Sequence, residues 1–203
     1  MLVVGLTGGI ASGKTVVSKM LRELGALIID ADETSREVVA PHKKCWGELI
    51  SYFGKDILGK DLTVDRKKLA DRVFNNPEQL SKLNSLIHPE IIKRIDERLE
   101  EIRNENPEAI VVIDAALLVE TGMHKKYDKL IVVYTTVETQ LKRLMTRNGI
   151  SQDEAQKRIN LQLPINEKVK LADFLIENED SLKKTEEQVK KVFTTLASLK
   201  SFS

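Results

Sequence analysis

A single cysteine, Cys45, stands in a chain of 203 residues. No internal disulfide can form, which suits a reducing compartment, and a lone thiol serves more often as a small buried hydrophobe than as a nucleophile. Aromatic residues are only 4% of the chain, and the formal net charge is +1. Nucleic acid needs stacking platforms and a basic footprint; both are thin here, so it is not expected as a partner. No apolar run approaches the length of a membrane span. The apolar stretch at the N-terminus is too short for a signal peptide and lacks a basic flank. A cytoplasmic protein without a membrane partner is expected. Repeats, low-complexity tracts and linkers are also missing, and the length fits one compact domain with insertions.

What is present begins at the first residues. Leu2 to Leu6 is a short, mostly β-branched apolar run, as a buried strand requires. Gly8-Gly9-Ile10-Ala11-Ser12-Gly13-Lys14-Thr15 follows and satisfies the phosphate-binding loop pattern in full. Val16, Val17, Met20, Leu21 and Leu24 then recur at helical spacing up to Gly25, a helix stop. The loop therefore has its required context of strand before and helix after. A polyphosphate needs several backbone N–H groups pointing inward with no Cβ in the way, which Gly8 and Gly13 allow. The helix start adds the positive end of its dipole. Lys14 brings a compact cation to the β- and γ-phosphates, and Thr15 a hydroxyl to a magnesium ion. ATP and Mg2+ are the expected cofactors.

Ala26 to Asp32 reads as a second buried strand ending in acid, with Asp30 and Asp32 on one face. Ligands of open parallel sheets sit at the carboxyl ends of the strands. Asp32 could there accept a proton from an attacking hydroxyl or hold magnesium-bound water. Alternatively it caps a helix starting near Glu33, and the two roles are compatible. Residues 34–107 read as helical, too long for one crossover, and are taken as an inserted unit for a second substrate. Trp46, Leu49, Ile50 and Phe53 form one apolar stripe, and Asp65 can cap a helix carrying Leu69, Val73 and Phe74. Asn76-Pro77 resembles a cap followed by a first-turn proline. His88-Pro89 is expected to break the next helical run. Arg66, His88 and Arg94 are the polar candidates of this insertion, although single arginines on helices are usually solvated.

Ile110 to Asp114 is a third strand, and Asp114 stands where a magnesium-side carboxylate would. Leu117 to Glu120 follows, and Lys129 to Tyr134 is a fourth strand. A helix from Val137 places Arg143 and Arg147 four residues apart on one face. Ser151 to Glu154 is a capping box opening a helix that carries Arg158. These arginines suit a lid over phosphates, or equally a charged surface hairpin. Asp173 to Asn178 is a fifth strand, and a long amphipathic helix closes the chain. The expected fold is α/β: a five-stranded parallel sheet flanked by helices, with a helical acceptor-binding insertion and a small helical lid. Its nucleotide-binding core would comprise residues 1–33, 108–136 and 170–203, its acceptor unit 34–107 and its lid 137–169.

The wording of these motifs resembles the dephospho-CoA kinase family. The resemblance rests on Gly8 to Thr15, Asp30-Ala31-Asp32, the run from Asp65-Arg66 through Glu78, His88-Pro89, Leu117 to Glu120, Glu138 to Arg147, and Ala172 to Asn178. It departs from the family's pattern at Ala116, where proline is usual, and at Glu179-Asp180, where glycine often follows the final asparagine. The resemblance implies transfer of the ATP γ-phosphate to the ribose 3′-hydroxyl of dephospho-CoA. Separately from it, a monomer or weak homo-oligomer is expected. Asp32 would be the base, and Lys14, Thr15 and magnesium would hold the phosphates. Arg143 and Arg147 would close from the lid, and Asn178 would contact adenine. Arg66, His88, Arg94, Leu117 and Glu120 would meet the acceptor. A shikimate- or gluconate-type kinase is the rival enzyme, and the long insertion speaks against it. A guanine-specific switch lacks its Asn-Lys-x-Asp loop, whereas an ATP-binding regulator without phosphotransfer meets the same motifs.

Overall fold

In the computed structural model, residues 1–73 and 76–200 are described, Lys200 by its backbone alone. Five strands and nine α-helices alternate among them: β1 Leu2–Gly8, α1 Lys14–Glu23, β2 Leu27–Asp30, α2 Ala31–Val38, α3 Lys44–Phe53, α4 Arg66–Val73, α5 Pro77–Glu105, β3 Ile110–Asp114, β4 Lys129–Tyr134, α6 Val137–Asn148, α7 Gln152–Asn160, α8 Ile165–Val169, β5 Phe174–Glu177 and α9 Leu182–Lys200. Short 3-10 turns lie at Lys55–Ile57 and Met123–Lys126. Among the described residues, no helix is long and apolar enough to cross a membrane.

The chain divides into two compact units. One comprises Met1–Ile29 and the chain from Ile102 onward; the other is Asp30–Glu101. The larger unit contains the expected lid residues, and the smaller starts four residues before the expected insertion.

The larger unit is built on a five-stranded parallel sheet of order β2-β3-β1-β4-β5. Strands buried on both faces read as continuous apolar runs, and β3 is buried throughout. Val4 and Leu6 of β1, Val112 of β3, Ile131 and Val133 of β4 and Ile176 of β5 pack with Val17 and Leu21 of α1 and Val189 and Leu196 of α9. Parallel register sets Leu6 beside Asp114 and Gly8 beside Val133, so the loop after β1 opens at the sheet's carboxyl edge.

The smaller unit has its own core of Cys45, Leu49, Phe53, Ile57, Leu69 and Val73, against which Leu83, Leu86 and Ile87 pack. Cys45 is almost fully buried, as a small hydrophobe would be. Phe74 lies outside the described residues. Asp65 accepts from the Lys67 and Lys68 amides, and Asn76 accepts from that of Gln79, so both expected caps form.

Two expectations are corrected. The second strand ends at Asp30 rather than Asp32, because the Asp30 carboxylate caps α2 through the amides of Asp32 (2.7 Å) and Glu33 (3.1 Å). Asp32 therefore sits in the first helical turn and shares no strand face with Asp30. His88-Pro89 does not break the helix: α5 runs unbroken for 29 residues. Proline removes one interior hydrogen bond. Packing of Leu83, Leu86 and Ile87 before it, and burial of Ile95 and Leu99 after it, keep both halves helical.

Candidate active site

The turn between β1 and α1 is shaped as an anion cradle. Ala11 and Gly13 both adopt positive φ, 60° and 89°, and left-handed residues so close together fold successive N–H groups into a concavity. Gly13 is the N-cap of α1 and contributes no side-chain cap. Among the described residues, the amides of Gly13, Lys14 and Thr15 make no hydrogen bond, as the first turn of a helix leaves them. A Cβ at Gly13 would lie 2.0 Å from the Asn178 amide nitrogen, and one at Gly8 would lie 2.5 Å from Ser12 Oγ. The Ser12 hydroxyl is buried and finds no partner among the described residues.

Lys14 forms an ion pair with Asp114, which is almost fully buried. Thr15 is exposed at the start of α1. The outer side of the loop is pinned: Ile10 N–H donates to Gln162 Oε1 (2.7 Å), and Asn178 Nδ2 donates to the Ser12 carbonyl (2.8 Å). Arg143 donates to the carbonyl of Asn178 (2.7 Å), and more distantly to those of Ala11 and Ser12. Arg147 is exposed and, among the described residues, meets only Asn148 Oδ1 (2.9 Å), and Arg158 is half-exposed on α7. The Asn178 side chain is occupied at both ends, since its Oδ1 accepts from Thr185 (3.0 Å).

Glu120 accepts from Lys168 Nζ (2.8 Å) and from the Leu163 amide (3.0 Å), whereas Leu117 beside it is exposed. Ala116 turns its carbonyl to Thr7 Oγ1 (3.0 Å) and Lys168 Nζ (2.8 Å). Glu179 accepts from the Thr135 hydroxyl, the Thr136 amide and the Thr139 hydroxyl. Burial pushes its pKa up, but these hydrogen bonds outweigh that and hold it down at about 2. Sequence reasoning missed the roles of Lys168 and Glu179. Lys168 lies in a five-residue helix, too short to show periodicity, and Glu179 was seen only as a departure from a family pattern.

In the smaller unit, Asp32 is exposed, and its carboxylate has no partner among the described residues. Arg66 is exposed at the start of α4. His88 is half-buried in α5, and burial lowers its pKa. Arg94 is engaged: its Nε meets Glu37 (2.8 Å), its Nη1 approaches Glu97 (3.4 Å) and Glu101 (3.5 Å), and Arg98 takes the other oxygen of Glu37 (2.9 Å).

A parallel sheet whose first strand runs through this loop into a helix defines a phosphate-loop kinase fold. The family model described as dephospho-CoA kinase matches residues 2–184. A dephospho-CoA kinase of Carboxydothermus hydrogenoformans is 48% identical over 187 residues, 92% of this chain and 90% of the relative. A solved Thermus thermophilus structure superposes with a TM-score of 0.82 at 32% identity, covering 96% of this chain and 97% of that one. Dephospho-CoA kinase from Campylobacter jejuni gives 0.66 at 30% identity, covering 97% of each chain. The chain belongs to the dephospho-CoA kinase family.

Proposed function

We propose that the loop residues, Asp32 and the α6 arginines of this chain divide the work of phosphoryl transfer to a ribose hydroxyl. The chain is an ATP-dependent dephospho-CoA kinase: it moves the γ-phosphoryl group of ATP to the 3′-hydroxyl of dephospho-CoA, giving coenzyme A and ADP, the last step of coenzyme A synthesis. The observation that carries the reading is the cradle, with its unpaired amides at Gly13, Lys14 and Thr15 and its left-handed Ala11 and Gly13.

Gly8 to Thr15 bind the ATP phosphates. Lys14 exchanges its Asp114 partner for phosphate oxygens, and Arg143, already beside the loop carbonyls, adds a second cation as charge gathers on the transferring group. Arg147, exposed one turn further along α6, closes over the nucleotide. Asp32, a free carboxylate, takes the proton of the 3′-hydroxyl. The oxygen–phosphorus bond to ribose forms as the bond from the γ-phosphorus to the bridging oxygen of ADP breaks. Arg66, an exposed cation without a partner among the described residues, suits a substrate phosphate, with His88, Leu117 and Glu120 completing the acceptor contacts. Arg94 already has its charge matched by Glu37 and orders the acceptor unit. Asn178, committed to Ser12 and Thr185, shapes the loop rather than reading adenine.

The donors fit magnesium. Thr15 offers a hydroxyl and Asp114 a carboxylate, both hard oxygen ligands. Among the described residues no group of three or more His, Cys, Asp or Glu side chains gathers that could hold a metal by itself, as suits a cation that keeps water and phosphate in its shell. When bound, magnesium neutralises phosphate charge at the leaving group. The lone buried thiol and the small-molecule, ATP-using reaction support a cytoplasmic enzyme.

Mass spectrometry of dephospho-CoA incubated with the protein, ATP and magnesium tests the reading. Coenzyme A should appear, and should be absent with Lys14→Ala. ATP bound without any phosphorylated product would put the non-transferring regulator in its place.

A further inference from the structure

Lys168 has no exposed side-chain surface, yet no step of the transfer uses it. A buried ammonium is unfavourable unless its donors are matched. Here they are matched by the carbonyl of Ala116 (2.8 Å), Glu120 Oε1 (2.8 Å) and the carbonyl of Gly8 (3.5 Å). Gly8 begins the phosphate loop. Ala116 and Glu120 bound the turn after β3. The same Glu120 oxygen accepts the Leu163 amide (3.0 Å), and Gln162 holds the Ile10 amide (2.7 Å). The short segment 162–168 behind α7 is thus tied at several points to the loop and to the 116–120 turn.

We propose that Lys168 is a positioning residue for phosphoryl transfer: its ammonium clips the start of the phosphate loop and the 116–120 turn to the short segment that follows α7, so that the γ-phosphoryl group meets the acceptor hydroxyl and water is kept out. The inference rests on the kinase reading above. A leucine would fill the space without the cost of desolvating a charge, and it could not bridge acceptors on the phosphate loop and on the 116–120 turn. Burial lowers the Lys168 pKa, Glu120 offsets part of that, and the nearby Lys14 charge lowers it further, which places this cation in the field of the phosphate site.

The test uses the full chain with Lys168→Met, Lys168→Arg and Lys168→Gln, following ADP and coenzyme A formation together, ATP hydrolysis without acceptor, and the melting midpoint. A folded Lys168→Met should lose at least tenfold in kcat for coenzyme A and should form more ADP than coenzyme A. Lys168→Arg should recover most of the one-to-one yield. Loss of ADP and coenzyme A in strict proportion, or a kcat within twofold of wild type, overturns the proposal. Should Lys168→Met not fold, Lys168→Gln decides, since its shorter, uncharged amide cannot span the carbonyls of Gly8 and Ala116 and the carboxylate of Glu120. Excess ADP supports the clip, and a one-to-one yield refutes it. If the wild type makes no coenzyme A, the kinase reading falls by itself. Acceptor-free hydrolysis then still tests the clip: a rise in the variants supports it, and an unchanged rate overturns it.

Discussion

Replacing Gly13 with alanine should disable the cradle through two separable effects. Gly13 holds φ at 89°, a left-handed angle that costs an L-residue about 1–2 kcal/mol. The new Cβ would also sit 2.0 Å from Asn178 Nδ2. That nitrogen is buried, donates to the Ser12 carbonyl at 2.8 Å and cannot move without breaking that bond. Displacing it leaves a buried donor and acceptor unmatched, at about 1–3 kcal/mol. Together these amount to about 2–5 kcal/mol, or roughly one and a half to three and a half decades in ATP affinity if the cost falls on the binding geometry. Titration calorimetry with ATP and magnesium reads it, with the melting midpoint as control. The double variant Gly13→Ala/Asn178→Ala removes the clash, so its loss should be smaller than the sum of the single losses by about 1 kcal/mol or more. Binding by Gly13→Ala within threefold of wild type, or strict additivity in the cycle, would refute the reasoning.

Asp32→Asn should lower coenzyme A formation by about two orders of magnitude or more while leaving ATP affinity nearly intact, because the carboxylate is asked only to accept a proton; normal turnover would remove it from the base role. Glu179→Gln concerns pH. The folded pKa, about 2, lies below the ordinary 4.5, so the carboxylate's contribution is present above pH 4.5 and is lost as pH falls toward 2. Wild-type melting midpoints should therefore drop through that window more steeply than those of Glu179→Gln. Parallel curves would show that the exposed carboxylate is screened and contributes nothing.

The strand, loop and opening helix were legible because their causes are local: glycine spacing, β-branched run and helical period all lie within two dozen residues. Asp65, Asn76 and Ser151 were legible as caps for the same reason, and the Ser151–Glu154 box forms as expected. Asp30 misled because a carboxylate at a strand end also makes a good N-cap, and that bond won over one more strand residue. Pro89 misled because a local helix breaker was overridden by tertiary packing on both flanks. Lys168 was illegible for the opposite reason. Its partners Gly8, Ala116 and Glu120 come from distant parts of the chain, and nothing near it in sequence distinguishes it from a solvated lysine. The engagement of both ends of the Asn178 amide, with the Ser12 carbonyl and Thr185, was illegible too, since Ser12 lies far away in the chain.

Cys45 has a consequence for an enzyme that handles thiols. Its substrate and product both end in a pantetheine thiol, which exchanges readily with exposed protein thiolates and disulfides. Burial, with the carboxylates of Glu48 and Glu90 adding to it, raises the Cys45 pKa to about 11. At neutral pH only about one Cys45 in ten thousand is then ionised, and that one is walled in by Leu49, Phe53 and Ile57. The enzyme's single sulfhydryl is thereby withheld from mixed-disulfide chemistry with the cofactor it completes, so coenzyme A can accumulate beside it in reduced or oxidised form without becoming covalently attached.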